Sequence, residues 1–219
     1  MNNVGVLIFP GAEELDFVGP WEMITMWRKV AAGPERCMIV AQTTAPVTCA
    51  KGMSVNPHES FDSCPQLDAL LIPGGQGTRT EVSNPALIDF VRRQAAGCRD
   101  VLSICTGSFI LHAAGLLGGR RATTHWESLD RLRALDGVEV VEERWTRDGK
   151  VWTAAGVSAG IDLTLAWIAD VAGPERAGYV QLQAEYFPDG VLHGSCGSHP
   201  QAPGYARRPK RRGSGDGHD

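Results

Sequence analysis

Excess positive charge is the first thing this chain does without. Lys and Arg total 21 against 25 Asp and Glu, a formal net charge of −4. The molecule as a whole therefore offers no electrostatic footprint for nucleic acid or an anionic membrane surface. No apolar run approaches the roughly 20 residues of a membrane span. The start lacks the basic residues and longer apolar core of a secretory leader, because the first apolar run, Val4 to Phe9, opens after three residues. Six cysteines stand at positions 37, 49, 64, 98, 105 and 196, with no C-x-x-C pair among them. Cys196 and His199 are near each other, but two candidate ligands in a Gly/Pro-rich stretch do not make a metal centre. Free thiols, no metal and a cytoplasmic location are expected. Internal repeats are absent.

What remains is an ordinary globular composition, 43% hydrophobic and 21% charged, in a length that suits one sizeable domain. Short apolar strands are expected over Val4 to Phe9, Cys37 to Ala41, Asp68 to Ile72, the run ending at Ile104, and Val151 to Ala154. A small hairpin is expected around Lys51-Gly52. Between the strands lie helix signals. Gly19-Pro20 opens a helix to about Val30, and Asn84-Pro85 caps one to Ala96. Further helices are expected over His125 to Leu135, Ile161 to Val171, and from Gly173-Pro174 to about Tyr186. This alternation predicts an α/β fold with a doubly wound, mostly parallel sheet and helices on both faces. Ligands in such sheets bind at the carboxyl ends of the strands. Pro73-Gly74-Gly75, Cys105-Thr106-Gly107 and Ala155-Gly156 mark three of those ends and should share one crevice. The α/β domain is expected to span 1–187. Residues 188–219, rich in Gly, Pro and Arg, read as a mostly disordered tail, whose basic run from Ala206 to Arg212 is a solvated segment before it is a nucleic-acid contact.

Cys105 is the candidate nucleophile. It stands where a buried strand turns straight into a helix, above the sheet and facing the first free N–H groups of that helix. The positive helix end favours a thiolate, and Gly107 and Ser108 allow the tight backbone approach of a nucleophile elbow. The competing reading is an inert core thiol, since cysteine is among the most often buried residues. Asp16, just past the first strand and flanked by Leu15 and Phe17, is the candidate proton partner. Burial and a nearby thiolate would both raise its pKa, although taken alone it reads first as a loop or N-cap carboxylate. Gly74 and Gly75 are candidate backbone donors for an oxyanion site, with the Thr106 amide as the other donor and its hydroxyl available to sulfur or water. His125 reads first as the opening turn of a helix capped by Thr124, and second as a base. Asp162 fits a helix start facing the crevice. Met23, Trp27, Trp126 and Trp152 read as core before they read as pocket walls.

DALLIPGG (68–75), SICTGSFILHAAGLL (103–117), RATTHW (121–126) and AGIDL (159–163), in that order, resemble the ThiJ/PfpI superfamily, whose fold is like class I glutamine amidotransferases. Phe9-Pro10, Leu15 to Pro20 and Cys105-Thr106 resemble its isocyanide hydratase branch. The resemblance implies Cys105 as nucleophile, Asp16 as acid/base, a homodimer, a small-molecule substrate, and no metal or organic cofactor. It implies attack by sulfur on the terminal carbon of R–N≡C, a thioimidate, and release of an N-substituted formamide by water held by Asp16 and Thr106. A glyoxalase or deglycase of the superfamily is the competing enzyme. Glu in place of Asp16 and His after the cysteine are usual there, and Asp16 and Thr106 depart from both. A redox sensor oxidised at Cys105 is the non-enzymatic alternative. Sensory domains of AraC-like regulators share the motifs but carry a downstream DNA-binding module, which is not expected in this chain.

Overall fold

The computed structural model describes residues 1–188 and 199–207. In chain order the elements are β1 (Asn3–Leu7), α1 (Glu14–Val30), β2 (Arg36–Ala41), β3 (Val47–Thr48), β4 (Ser54–Val55), β5 (Glu59–Ser60), β6 (Ala69–Ile72), α2 (Thr78–Glu81), α3 (Pro85–Gly97), β7 (Asp100–Ile104) and α4 (Gly107–Ala113). They continue with β8 (Arg120–Ala122), a 3₁₀ turn (Trp126–Ser128), α5 (Leu129–Arg133), β9 (Val138–Val140), β10 (Trp145–Asp148), β11 (Val151–Ala154), α6 (Ala159–Ala172), α7 (Pro174–Gln183) and α8 (Gly204–Arg207).

Seven strands form one sheet in the order β10-β11-β7-β6-β1-β2-β5. Every pairing in it is parallel except the β10–β11 hairpin. All residues of β6, β7 and β11 are buried, as central strands covered on both faces must be. α1, α6 and α7 pack together on one face, while α3 and α4 pack against each other and β6 on the other. The expected doubly wound sheet is the observed one. Among the described residues no helix is long and apolar enough to cross a membrane.

Three local expectations give way. α1 begins at Glu14, and Gly19-Pro20 lies inside it rather than opening it. Tertiary packing overrides the proline signal. A side chain at Gly19 would strike Ile161, and one at Gly160 would meet Ile104 and the Pro20 ring, so α1 and α6 cross closely at this point. Asp16 therefore sits in the first turn of a helix, where Glu14 and Asp16 together oppose the positive dipole end. The helix expected over 125–135 is instead a 3₁₀ turn followed by the short α5. Its cap is His125, whose Nδ1 accepts the Glu127 N–H at 3.3 Å, and not Thr124. Finally, part of the expected tail is folded. Ala202 and Pro203 are buried, the Gly204 N–H donates to Glu142 Oε1 at 2.6 Å, and the His199 ring packs edge-on against Trp126. Residues 189–198 and 208–219 lie outside the described residues.

Candidate active site

β7 ends at Ile104, and Cys105 follows with φ +55°. A non-glycine residue in this left-handed region costs of order 1–3 kcal/mol and persists only where its surroundings hold it. They do so from both sides. The Cys105 N–H donates to the Ala154 and Ala155 carbonyls at 3.1 and 3.0 Å. The Cys105 carbonyl accepts the buried Thr124 hydroxyl at 2.8 Å and the Ser108 hydroxyl at 3.3 Å. A Cβ on Gly107 would come within 2.5 Å of the Ile72 carbonyl oxygen, so the turn can close only on glycine. This is a nucleophile elbow, and Cys105 is 7% exposed.

Asp16 comes to the same point from the other side of β6 and is fully buried. Its Oδ2 accepts the Gly74 N–H at 2.8 Å. The Gly74 carbonyl in turn accepts the Glu13 N–H at 3.0 Å, which clamps the start of α1 onto the β6 turn. A Cβ on Gly74 would lie 2.5 Å from the Thr106 nitrogen and 2.9 Å from Asp16 Oδ2. The Asp16 Oδ1 is buried without a regular hydrogen bond, while the Cys105 thiol and the Val157 amide lie close enough to favour the charged carboxylate.

The oxyanion expectation for Gly74 and Gly75 is overturned by what their amides already hold. Gly74 is committed to Asp16, and the Gly75 N–H donates to Thr106 Oγ1 at 3.0 Å. The groups that favour a charged sulfur are the Thr106 amide and hydroxyl and the Val157 amide. Val157 was not among the expected site residues. It is β-branched and yet has φ +50°, a backbone state that no sequence pattern announces. The Gly156-to-Gly160 turn was the only signal near it.

Burial dominates the electrostatics. It pushes Asp16 up to about 7, against the lowering effect of its hydrogen bonds to Gly74, Cys105 and Val157. Burial, and then the Asp16 charge, push the Cys105 thiol up to about 12, against the same amides that favour the thiolate. Burial therefore works against the thiolate that the helix end favours, and the Cys105–Asp16 pair gives up its first proton near neutrality. The short α4 does not outweigh the loss of solvent.

A cleft of about 340 Å³ opens above the pair, and Gly75, Thr106, His125 and Val157 line it. His125 belongs to this wall. Burial lowers its pKa, with Glu127 opposing, and its Nδ1 is an acceptor, so the neutral ring carries its proton on Nε2. Asp162 is not in the cleft. It pairs with Arg144 and accepts the Tyr186 hydroxyl at 2.9 Å, tying α6 to β10 and to the end of α7. Met23, Trp27 and Trp152 are core residues, and Trp126 borders a neighbouring hollow under residues 202–206. Among the described residues no cluster of His, Cys, Asp and Glu could hold a metal ion.

A doubly wound sheet with a strained cysteine at the central strand end and a buried carboxyl beside it defines a class of α/β proteins built around a nucleophile elbow. Within that class the chain belongs to the DJ-1/PfpI family, whose pattern matches residues 2–170. It is 40% identical over 185 residues to isonitrile hydratase of Pseudomonas putida, covering 84% of this chain and 78% of that protein. It is 34% identical to the transcriptional regulator CdhR of Pseudomonas aeruginosa, covering 81% of this chain and 53% of the regulator. A ThiJ/PfpI family protein from Pseudomonas syringae superposes with TM-score 0.83 at 35% identity, over 94% of this chain and 83% of that one.

Proposed function

We propose that the protein hydrates isocyanides, R–N≡C, to N-substituted formamides through a covalent thioimidate on Cys105. The observation that carries this reading is the fully buried Asp16 carboxyl, with Oδ1 unpaired and the Cys105 thiol beside it. Such a pair can move one proton onto and off a reacting carbon without solvent. As the sulfur bonds to the terminal isocyanide carbon, the S–H proton passes to Asp16. Asp16 then delivers it to the same carbon, which gives Cys105–S–CH=N–R. Water adds to that carbon, one of its protons reaching the nitrogen by way of Asp16. The C–S bond of the adduct breaks, the hydroxyl proton returns to the sulfur, and HC(=O)–NH–R leaves. Charge developing on sulfur is met by the Thr106 and Val157 amides and the Thr106 hydroxyl. The identity to a protein named isonitrile hydratase supports the same reading. A cytoplasmic homodimer acting on a small molecule without a cofactor goes with it.

The test is turnover. Purified protein should convert a simple aromatic isocyanide to its formamide, and Cys105→Ala should abolish the conversion. No product from several isocyanides would end the proposal.

A further inference from the structure

Side chains with polar or charged ends make up most of the cleft's lining. Above the Cys105–Asp16 pair, Val157 is the one apolar residue besides the cysteine itself, and charged or hydroxyl side chains supply most of the rest. The charges do not cancel. Lys51 is paired with Glu13, while Glu127 keeps its charge beside the neutral His125 ring, so the lining side chains leave one positive charge in excess. Arg79 and Arg131 remain. Among the described residues no carboxylate is recorded within ion-pair distance of either. Arg79, on α2, is held by the Gln76 side-chain oxygen, and the Arg131 guanidinium, on α5, stacks over the Phe109 ring at 4.6 Å. Arg79 and Arg131 line both the cleft and a second hollow of about 480 Å³ walled by Val82, Phe109, Ala113 and Leu135.

We infer that the substrate is an isocyanide bearing a carboxylate, which Arg79 and Arg131 bind while the isocyanide carbon reaches Cys105. This rests on the isocyanide reading above and narrows it. A carboxylate entering the cleft meets two guanidiniums that no carboxylate among the described residues pairs with. Guanidinium forks suit carboxylate geometry, and stacking on Phe109 leaves the edge of Arg131, where its N–H groups point, free for an anion.

Two measurements on the full chain separate this inference from the reading beneath it. The first is calorimetric binding of N-formylglycine, the formamide that hydration of isocyanoacetate yields, against its neutral amide, N-formylglycinamide. The acid should bind about tenfold or more tightly, the usual worth of a charge-assisted contact. Arg79→Gln and Arg131→Gln should each erase most of that preference. The second is turnover of isocyanoacetate against its ethyl ester, where kcat/KM should favour the acid by a similar factor that falls in both variants. Equal binding of acid and amide to the wild-type protein overturns the inference, and so does a preference that survives in both variants. Discrimination in binding with no turnover of any isocyanide leaves the carboxylate site standing and removes the hydration reading instead.

Discussion

Replacing Asp16 by Asn should stabilise the protein, and increasingly so as pH rises. Asp16 is fully buried, and its carboxyl is raised from 3.8 to about 7. In the unfolded chain it ionises near its ordinary value. In the folded chain it holds its proton until near neutrality, so stability present at low pH is lost as pH climbs toward the folded value. Each pH unit of that window costs about 1.4 kcal/mol, so the penalty approaches about 4 kcal/mol by pH 8. Asn keeps an oxygen for the Gly74 N–H at the Oδ2 position, nearly matches the volume and does not titrate. The assay is urea unfolding of wild type and Asp16→Asn at half-unit steps from pH 4.5 to 8. The two stabilities should lie within about 1 to 2 kcal/mol at the acid end and diverge to about 4 kcal/mol at the alkaline end, a midpoint difference of about 2 M for a typical urea slope. Cys105 titrates far above this range and does not contribute. Parallel curves across the window would refute the account of a carboxyl whose charge is suppressed by burial.

Three further outcomes follow from the same geometry. Isocyanide hydration, followed as kcat/KM, should rise with pH through about 7 and then level, because protonated Asp16 cannot accept the Cys105 proton; a flat profile from pH 5 to 8 would contradict a pair that gives up its first proton near neutrality. Gly74→Ala drives a methyl group between Thr106 and Asp16; thermal unfolding should show a loss of about 1–3 kcal/mol, and activity should fall with it. Thr124→Val removes the 2.8 Å hydrogen bond to the Cys105 carbonyl; chemical denaturation should report about 1–3 kcal/mol of lost stability, with Thr124→Ser restoring most of it.

The order of strands and helices, the covered parallel sheet and the crevice over Cys105 were all legible in the chain. Buried strands are continuous apolar runs, and the Asn84-Pro85 cap and the glycine turns punctuate them locally. The place of Cys105 at a strand end follows from that punctuation, whereas Asp16 reads as a loop carboxylate and the structure puts it in the first turn of α1. Packing between distant segments decided the rest. Pro20 reads as a helix start, yet it lies within α1 because α6 presses close against it. Thr124 reads as a cap, yet its hydroxyl is spent on a carbonyl nineteen residues away. Gly74 and Gly75 read as donors to substrate, yet Asp16 and Thr106 occupy their amides. The left-handed backbone of Val157 had no signal beyond the glycine-rich turn around it. Most consequentially, a helix N-terminus argues for a thiolate, and only the folded protein reveals how completely water is excluded. Desolvation depends on every neighbour in space rather than on neighbours in sequence, so which strand ends share the crevice was written in the chain, and the partners each group takes there and the proton it holds were decided by packing and burial.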